Sequence, residues 1–290
     1  MRSLRWSTSL LSPSLIFLGA LFVGPFVYMI WLSFTDLSFS AADRNGHWIG
    51  FANYSRAIFE DSVFIWSLGR SILFALLCVG PQVLFGITVA EVLHRYPFAQ
   101  RMLSPLFALP ALIPTVAVGL YWRLMLQGEF GVLSYYLSAV GLPFAKGILS
   151  DAQTILVTLA LIDFWQWGPF TVLVFLAARS SISSVPLEAA YVDGASRWRA
   201  FYDVTLPALY PTIFLVSVIR AIDSFKEFDK VFVMTGGGPG TASELISIYT
   251  WRTAFKYWEF GFGAALCIVV YLLIYFGTQL TFMSAKKEAN

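Results

Sequence analysis

Six long apolar runs, at about residues 10–34, 64–92, 103–126, 153–178, 208–233 and 260–283, constrain this chain more than any other feature. Each reaches the roughly 20 residues that a helix needs to cross a hydrocarbon core. In that core no water can satisfy a backbone N–H or C=O, so a spanning segment must bond its own backbone, as a helix does. The expected fold class is therefore all-α: a polytopic membrane protein with six transmembrane helices, forming a single domain over 1–290. Composition agrees. The chain is 58% hydrophobic and 12% charged, with a mean hydropathy of +0.72, whereas roughly a quarter of the residues in a soluble domain are charged. The net charge of +2 is spread over segments flanking the runs and points to no nucleic-acid partner. Cys78 and Cys267 both fall inside runs and read as small apolar residues, with no disulfide framework and no metal cluster.

The first run follows Met1-Arg2-Ser3-Leu4-Arg5-Trp6, a basic start like that of a signal peptide. The run is long enough to span and lacks a convincing small-residue cleavage site, so it is expected to be retained. Nine cations flank one side of the six runs: Arg2, Arg5, Arg95, Arg101, Arg179, Arg197, Arg199, Lys286 and Lys287. Five flank the other: Arg44, Arg56, Lys146, Arg252 and Lys256. The excess places both termini and the 93–104 and 179–207 loops in the cytoplasm. Pro81-Gln82 interrupts the second run, and Pro105, Pro110 and Pro114 interrupt the third. Prolines remove helix hydrogen bonds, so these runs are expected to kink, either around a pathway or as ordinary membrane-helix prolines. The outer loops are aromatic and glycine-rich, and their aromatics suit the membrane interface. The run Thr235-Gly-Gly-Gly-Pro-Gly240 is not followed by Gly-Lys-Ser/Thr, so it is no phosphate loop.

The 179–207 loop is the one substantial polar break between two apolar halves. Pro186 suits a first helical turn, and Ser184 is placed to cap it. Leu187, Ala190, Tyr191 and Gly194 recur at helical spacing and give one apolar face. Gly194 fits a tight bend, after which Trp198, Phe201 and Tyr202 give a second apolar face before Pro207. The expected element is a helix, a bend and a second helix on the cytoplasmic membrane face, able to dock into a groove of a soluble partner.

Two runs carry ionisable groups, which seldom face lipid. In the fifth, Arg220, Asp223, Glu227 and Lys230 fall within an arc of about 80° at 100° per residue. Arg220–Asp223, Asp223–Lys226 and Glu227–Lys230 are spaced for partial neutralisation. Such a face either builds a salt-bridge network or lines a pathway. In the fourth, Asp163, Gln166, Trp167 and Phe170 share a face at i, i+3, i+4 and i+7. Carboxylate, amide and aromatic groups together suit a polyhydroxylated ligand; alternatively, Asp163 pairs with Arg220 and Trp167 packs on a neighbour. The candidate pathway residues are Gln82, Asp163, Gln166, Trp167, Arg220, Asp223, Ser224 and Glu227. The 163/166/167 and 220/223/224 faces overlap in depth and are expected to share a cavity near the bilayer midplane.

The spacing Glu188-Ala189-Ala190, Gly194, Val204, Leu206-Pro207 resembles the coupling motif of ABC-importer permeases, with Val204 where that family usually has Ile. Arg220-x-x-Asp223-x-Phe225-Lys226-x-Phe228-Asp229, followed by Thr235-Gly-Gly-Gly-Pro239, is similar to the fifth helix and outer loop of carbohydrate-importer permeases of the maltose and glycerol-phosphate type. The resemblance runs from about Leu10 to Ser284. It implies a permease subunit that moves a sugar or sugar derivative into the cytoplasm by alternating access, in a bacterial or archaeal inner membrane. It also implies a second homologous permease, a cytoplasmic ATPase dimer, an extracytoplasmic solute-binding protein and surrounding lipid as partners. Glu188, Ala189, Ala190, Asp193 and Gly194 would form the ATPase-coupling surface. The chain itself would be no enzyme and bind no cofactor, since ATP and Mg would stay with the ATPase. The alternative is an ion-coupled secondary carrier for a polar solute, with Asp163, Asp223 or Glu227 as the ion site. A membrane-embedded enzyme fits less well, because His47 and His94 lie in loops on opposite sides.

Overall fold

The computed structural model describes residues 2–39, 45–141 and 147–288. Arg44 and Lys146, two of the five cations assigned to the outer loops, lie outside them. The fold is helical, with no strand among the described residues. Besides a short helix at Ala52–Ser55, the helices are α1 (Arg2–Ser33), α2 (Ser62–His94), α3 (Pro97–Ala108), α4 (Thr115–Leu126), α5 (Val132–Ala139) and α6 (Ile155–Ser181). They continue with α7 (Val185–Val192), α8 (Arg197–Ala200), α9 (Leu206–Phe225), α10 (Asp229–Thr235), α11 (Ile246–Trp251) and α12 (Phe260–Glu288). Five stretches are long and apolar enough to cross a membrane, and a bent pair makes a sixth if it is one span.

The bent pair is the third apolar run. Pro114 disfavours helical geometry at the residue before it, and Ile113 is extended, at φ −80° and ψ 129°. The helical stretches Pro97–Leu112 and Thr115–Leu126 meet there at 90°. By contrast, Pro81, Pro169 and Pro211 are absorbed inside α2, α6 and α9 without ending them. The fifth run corrects the expectation of a single continuous helix. Helix α9 ends at Phe225 and α10 starts at Asp229, so Arg220 and Asp223 precede a break and Lys230 follows it. Glu227 sits in the break and caps α10, its Oε1 accepting the backbone N–H of Lys230 at 3.2 Å. A carboxylate suits the positive end of a helix.

The chain divides into two compact units. The first comprises Met1–Ile65 and Tyr249–Leu280. Within it, buried Asn53 donates to the carbonyls of Ser33 and Thr35 at 2.9 and 2.8 Å, tying the 52–60 helical stretch to the end of α1. Arg56 pairs with Glu259 at 2.7 Å and lies over the Phe262 ring. Most of the α1 side chains from Leu11 onward are exposed and apolar, a surface suited to lipid or another protein.

The second unit comprises Trp66–Ile248 and Thr281–Asn290 and holds every candidate site residue. Two apolar clusters build its core among the described residues. One gathers Phe74, Cys78, Leu159, Ile162, Val231 and Leu245. The other gathers Ala90, Leu93, Val172, Phe175, Leu176 and Val216. Helices α2 and α6 approach closely at Gly86, where a Cβ would stand 2.5 Å from Thr171 Oγ1 and 2.7 Å from the Phe175 ring. The Thr171 hydroxyl donates to the Gln82 carbonyl at 2.9 Å beside this contact.

Candidate functional site

The polar residues of the fourth and fifth runs meet in one cluster centred on Asp163. Its Oδ2 accepts from Gln82 Nε2 at 2.7 Å and from Arg220 Nη2 at 2.8 Å. Its Oδ1 accepts from Lys230 Nζ at 2.6 Å. Gln82 also accepts from Arg220 Nε at 2.8 Å, so one amide serves both charges. Gln166 accepts from Lys230 at 3.1 Å and donates to the carbonyl of Ile113 at 3.2 Å. That carbonyl belongs to the break before Pro114, so a side chain in α6 satisfies a backbone group freed by the bend.

Burial sorts the members. Asp163, Gln82, Gln166 and Lys230 are buried almost completely, and Arg220 nearly so. Two cations share one carboxylate, and Glu227 stands 3.5 Å from Lys230 to offset the second. A charge buried without such partners is costly, so mutual satisfaction is what lets the cluster exist. Asp223 and Lys226 lie at its edge, paired at 3.0 Å with side chains 39% and 62% exposed, and Asp223 is 3.7 Å from Arg220. Trp167 is half-buried, with the Arg220 guanidinium 5.0 Å from its ring centre and Phe170 edge-on at 6.2 Å. The two faces expected to look into a common cavity are instead in direct contact through Asp163 and Arg220. Ser224 is buried, and its Oγ has no hydrogen-bond partner among the described residues.

Sequence reasoning paired Asp163 with Arg220 as one of two alternatives but did not select Lys230. Read on a continuous helix, Lys230 belongs beside Glu227 alone. Only the break after Phe225 turns it back onto Asp163. The signal was one more ionisable residue inside the fifth run than the i,i+3 pairs along the helix neutralise, since a charge in a spanning segment needs a partner.

The 182–205 loop has the opposite character. Helix α7 ends at Val192 with Asp193 as its C-cap, and Gly194 adopts φ +82°, donating its N–H to Tyr191 O at 3.1 Å. This left-handed conformation suits glycine and reverses the chain. The second helix is capped by Ser196, whose Oγ accepts the Arg199 N–H at 3.3 Å. Ser184, expected to cap the first, makes no side-chain capping bond. Its carbonyl receives the Glu188 N–H at 2.9 Å, and the nearby Ser183 Oγ receives that of Val185 at 3.3 Å. Leu187 is buried and Ala190 half-buried, which fastens α7 by one edge. Glu188, Ala189, Asp193 and Gly194 are exposed. So are Val192, at 88%, and Trp198, at 73%, the latter stacked on exposed Tyr202.

Likenesses to known proteins bear on this arrangement. A family model described as "Binding-protein-dependent transport system inner membrane component" matches residues 82–284. The chain is 31% identical to the sulfoquinovosyl glycerol transport system permease protein of Agrobacterium fabrum, over 91% of this chain and 85% of that protein. It is 29% identical to a trehalose/maltose transport system permease protein of Thermococcus litoralis, over 78% of this chain and 76% of that one. Its fold is that of a chain in the crystal structure of a bacterial alginate ABC transporter in complex with a pentasaccharide-bound periplasmic protein. The TM-score is 0.77 at 22% identity, over 94% of this chain and 92% of that one.

Proposed function

This chain belongs to the family of binding-protein-dependent transport system inner membrane components, and from that premise we propose how it works as the permease subunit of an ATP-binding-cassette importer for a sugar or sugar derivative. The observation that carries the reading is the helix–bend–helix of residues 185–205, fastened by Leu187 and otherwise presenting Glu188, Val192, Gly194 and Trp198 outward. An apolar patch of this kind, rimmed by polar residues, marks a surface for another protein. The proposed occupant is one subunit of a cytoplasmic ATPase dimer. The second subunit would hold the equivalent loop of a second, homologous permease. Glu188 would offer its carboxylate, Ala189 and Ala190 close approach, and Asp193-Gly194 the turn that lets both short helices enter one groove.

ATP-driven closure of the dimer would displace α7, and the rigid spans above it would alternate access to a solute delivered by an extracytoplasmic binding protein. Within the central cluster, Asp223 and Trp167 retain surface for a ligand, while Asp163, Gln82, Gln166 and Arg220 hold them in place. An indole face next to a carboxylate suits a sugar ring, which presents apolar C–H faces and hydroxyl edges. The sugar class also follows from the substrates named for the relatives.

Two measurements test this reading together. A reporter fused at Arg197 is expected on the cytoplasmic side, and uptake is expected to stop when the co-assembled ATPase is inactivated. A reporter signal from outside, or uptake that persists and follows a proton or sodium gradient, would overturn it in favour of a secondary carrier.

A further inference from the structure

A second charged cluster lies where α2 and α6 end, before the 182–205 loop. Glu91 Oε2 accepts from Arg179 Nε at 2.8 Å, and Glu91 Oε1 accepts from Arg95 Nη2 at 2.9 Å. The Arg179 and Glu91 side chains are only 9% and 14% exposed, whereas Arg95 is 42% exposed, so Glu91–Arg179 is the inner pair. Neighbours in sequence, Ala90 and Leu93 on α2 and Phe175 and Leu176 on α6, are buried in one apolar cluster. An ion pair in such a place contributes little stability that two packed apolar residues would not. What it does supply is a charge-assisted bond of defined direction between two helices.

Its position in the chain gives that bond a use. Arg179 lies two residues before the end of α6, and α7 begins only six residues after it. The Ile182 N–H still bonds the Arg179 carbonyl at 3.3 Å, so the turn leading to α7 is continuous with α6. A displacement of α7 therefore reaches α6 through three residues and meets Arg179 within the last turn of that helix. Glu91 hands it to α2, which carries Gln82 into the central cluster and contacts α6 again through Gly86 and Thr171.

We propose that the Glu91–Arg179 pair is a positioning joint: it makes α2 and α6 move as one body when α7 is displaced, and touches neither solute nor ATPase. The proposal rests on the importer reading above.

The test uses the complete transporter, reconstituted with its ATPase and binding protein, and measures solute uptake per ATP hydrolysed alongside the yield of assembled complex. Glu91→Gln and Arg179→Gln should each lower uptake per ATP about fivefold or more, the scale of a typical coupling between sites, with ATP hydrolysis retained. The exchange of both charges, E91R with R179E, should restore the ratio toward the original, as a double-mutant cycle on a true pair requires. Where a single variant fails to assemble, the E91L/R179L pair leaves no charge stranded and should assemble with the same low ratio. An unchanged ratio in the single variants or in the leucine pair, or a single-variant loss that the exchange does not recover, overturns the joint. Gly194→Trp serves as the control. If it too leaves uptake per ATP unchanged, the importer reading itself has failed. If it uncouples transport while Arg179→Gln does not, only the joint has failed.

Discussion

The cluster around Asp163 and the loop around Glu188 both place charged groups beside apolar ones, yet they end in opposite states. In the cluster, Gln82, Arg220 and Lys230 all donate to one carboxylate, and Gln166 links Lys230 to the Ile113 carbonyl. In the loop, Glu188 and Asp193 stay in the open, and Val192 and Trp198 are among the more exposed large side chains of the chain. The cluster uses its polarity internally, to fix α2, α6, α9 and α10 against one another. The loop's local structure is complete, with its turn at Gly194 made and its second helix capped by Ser196, and what remains outward is surface. Substitutions in the first region should therefore act on stability, and in the second on function at unchanged stability.

The largest expected effect is that of Asp163→Ala. It removes the shared acceptor and leaves Arg220 and Lys230 buried beside one another, at a cost of about 3–5 kcal/mol. Little assembled complex should be recovered from membranes; normal recovery would break the contrast at its strongest point. Gly86→Ala comes next, because its methyl would meet Thr171 and Phe175 well inside contact distance. Overpacking of this kind costs about 1–3 kcal/mol, read as a lower unfolding temperature of the purified complex. Gln166→Ala should be milder, near 1 kcal/mol for the hydrogen bonds lost, with uptake nearly normal. A variant that assembles fully and yet stops transporting would instead make Gln166 a solute contact. Glu188→Ala should move stability least, within about 0.5 kcal/mol as for most surface positions. Its measurable consequence is weaker ATPase association in pull-down from detergent.

Much of the fold was legible because the bilayer leaves few options for an apolar run. The bend at Ile113-Pro114 was legible for a similar reason, since proline acts locally on the residue before it. The loop around Gly194 could be read as helix, bend and helix from a single glycine and the periodicity on either side. The break after Phe225 could not, because Phe225-Lys226-Glu227-Phe228 contains neither proline nor glycine. It is stabilised from elsewhere, by Glu227 capping α10 and by Ser247 Oγ donating to the Glu227 carbonyl at 2.5 Å. With that break unseen, the arc drawn through Arg220 and Lys230 gave the lysine its partner Glu227, 3.5 Å away in the structure, but not the shorter bond to Asp163 at 2.6 Å. Glu91 and Arg179 were hidden for another reason. They lie at run ends, where charge is ordinary, and only the packing of α2 on α6 brings them together.

The central claim is that the open surface around Gly194 is where an ATPase seats. Its most direct test is Gly194→Trp in the reconstituted transporter. A Cβ at this position meets nothing within 4 Å among the described residues, so an indole there has room outside the turn, with strain confined to the φ +82° conformation. The account predicts near-normal insertion and unfolding temperature, with the ATPase either lost from the complex or hydrolysing ATP without uptake. Normal ATPase association together with normal uptake would contradict it.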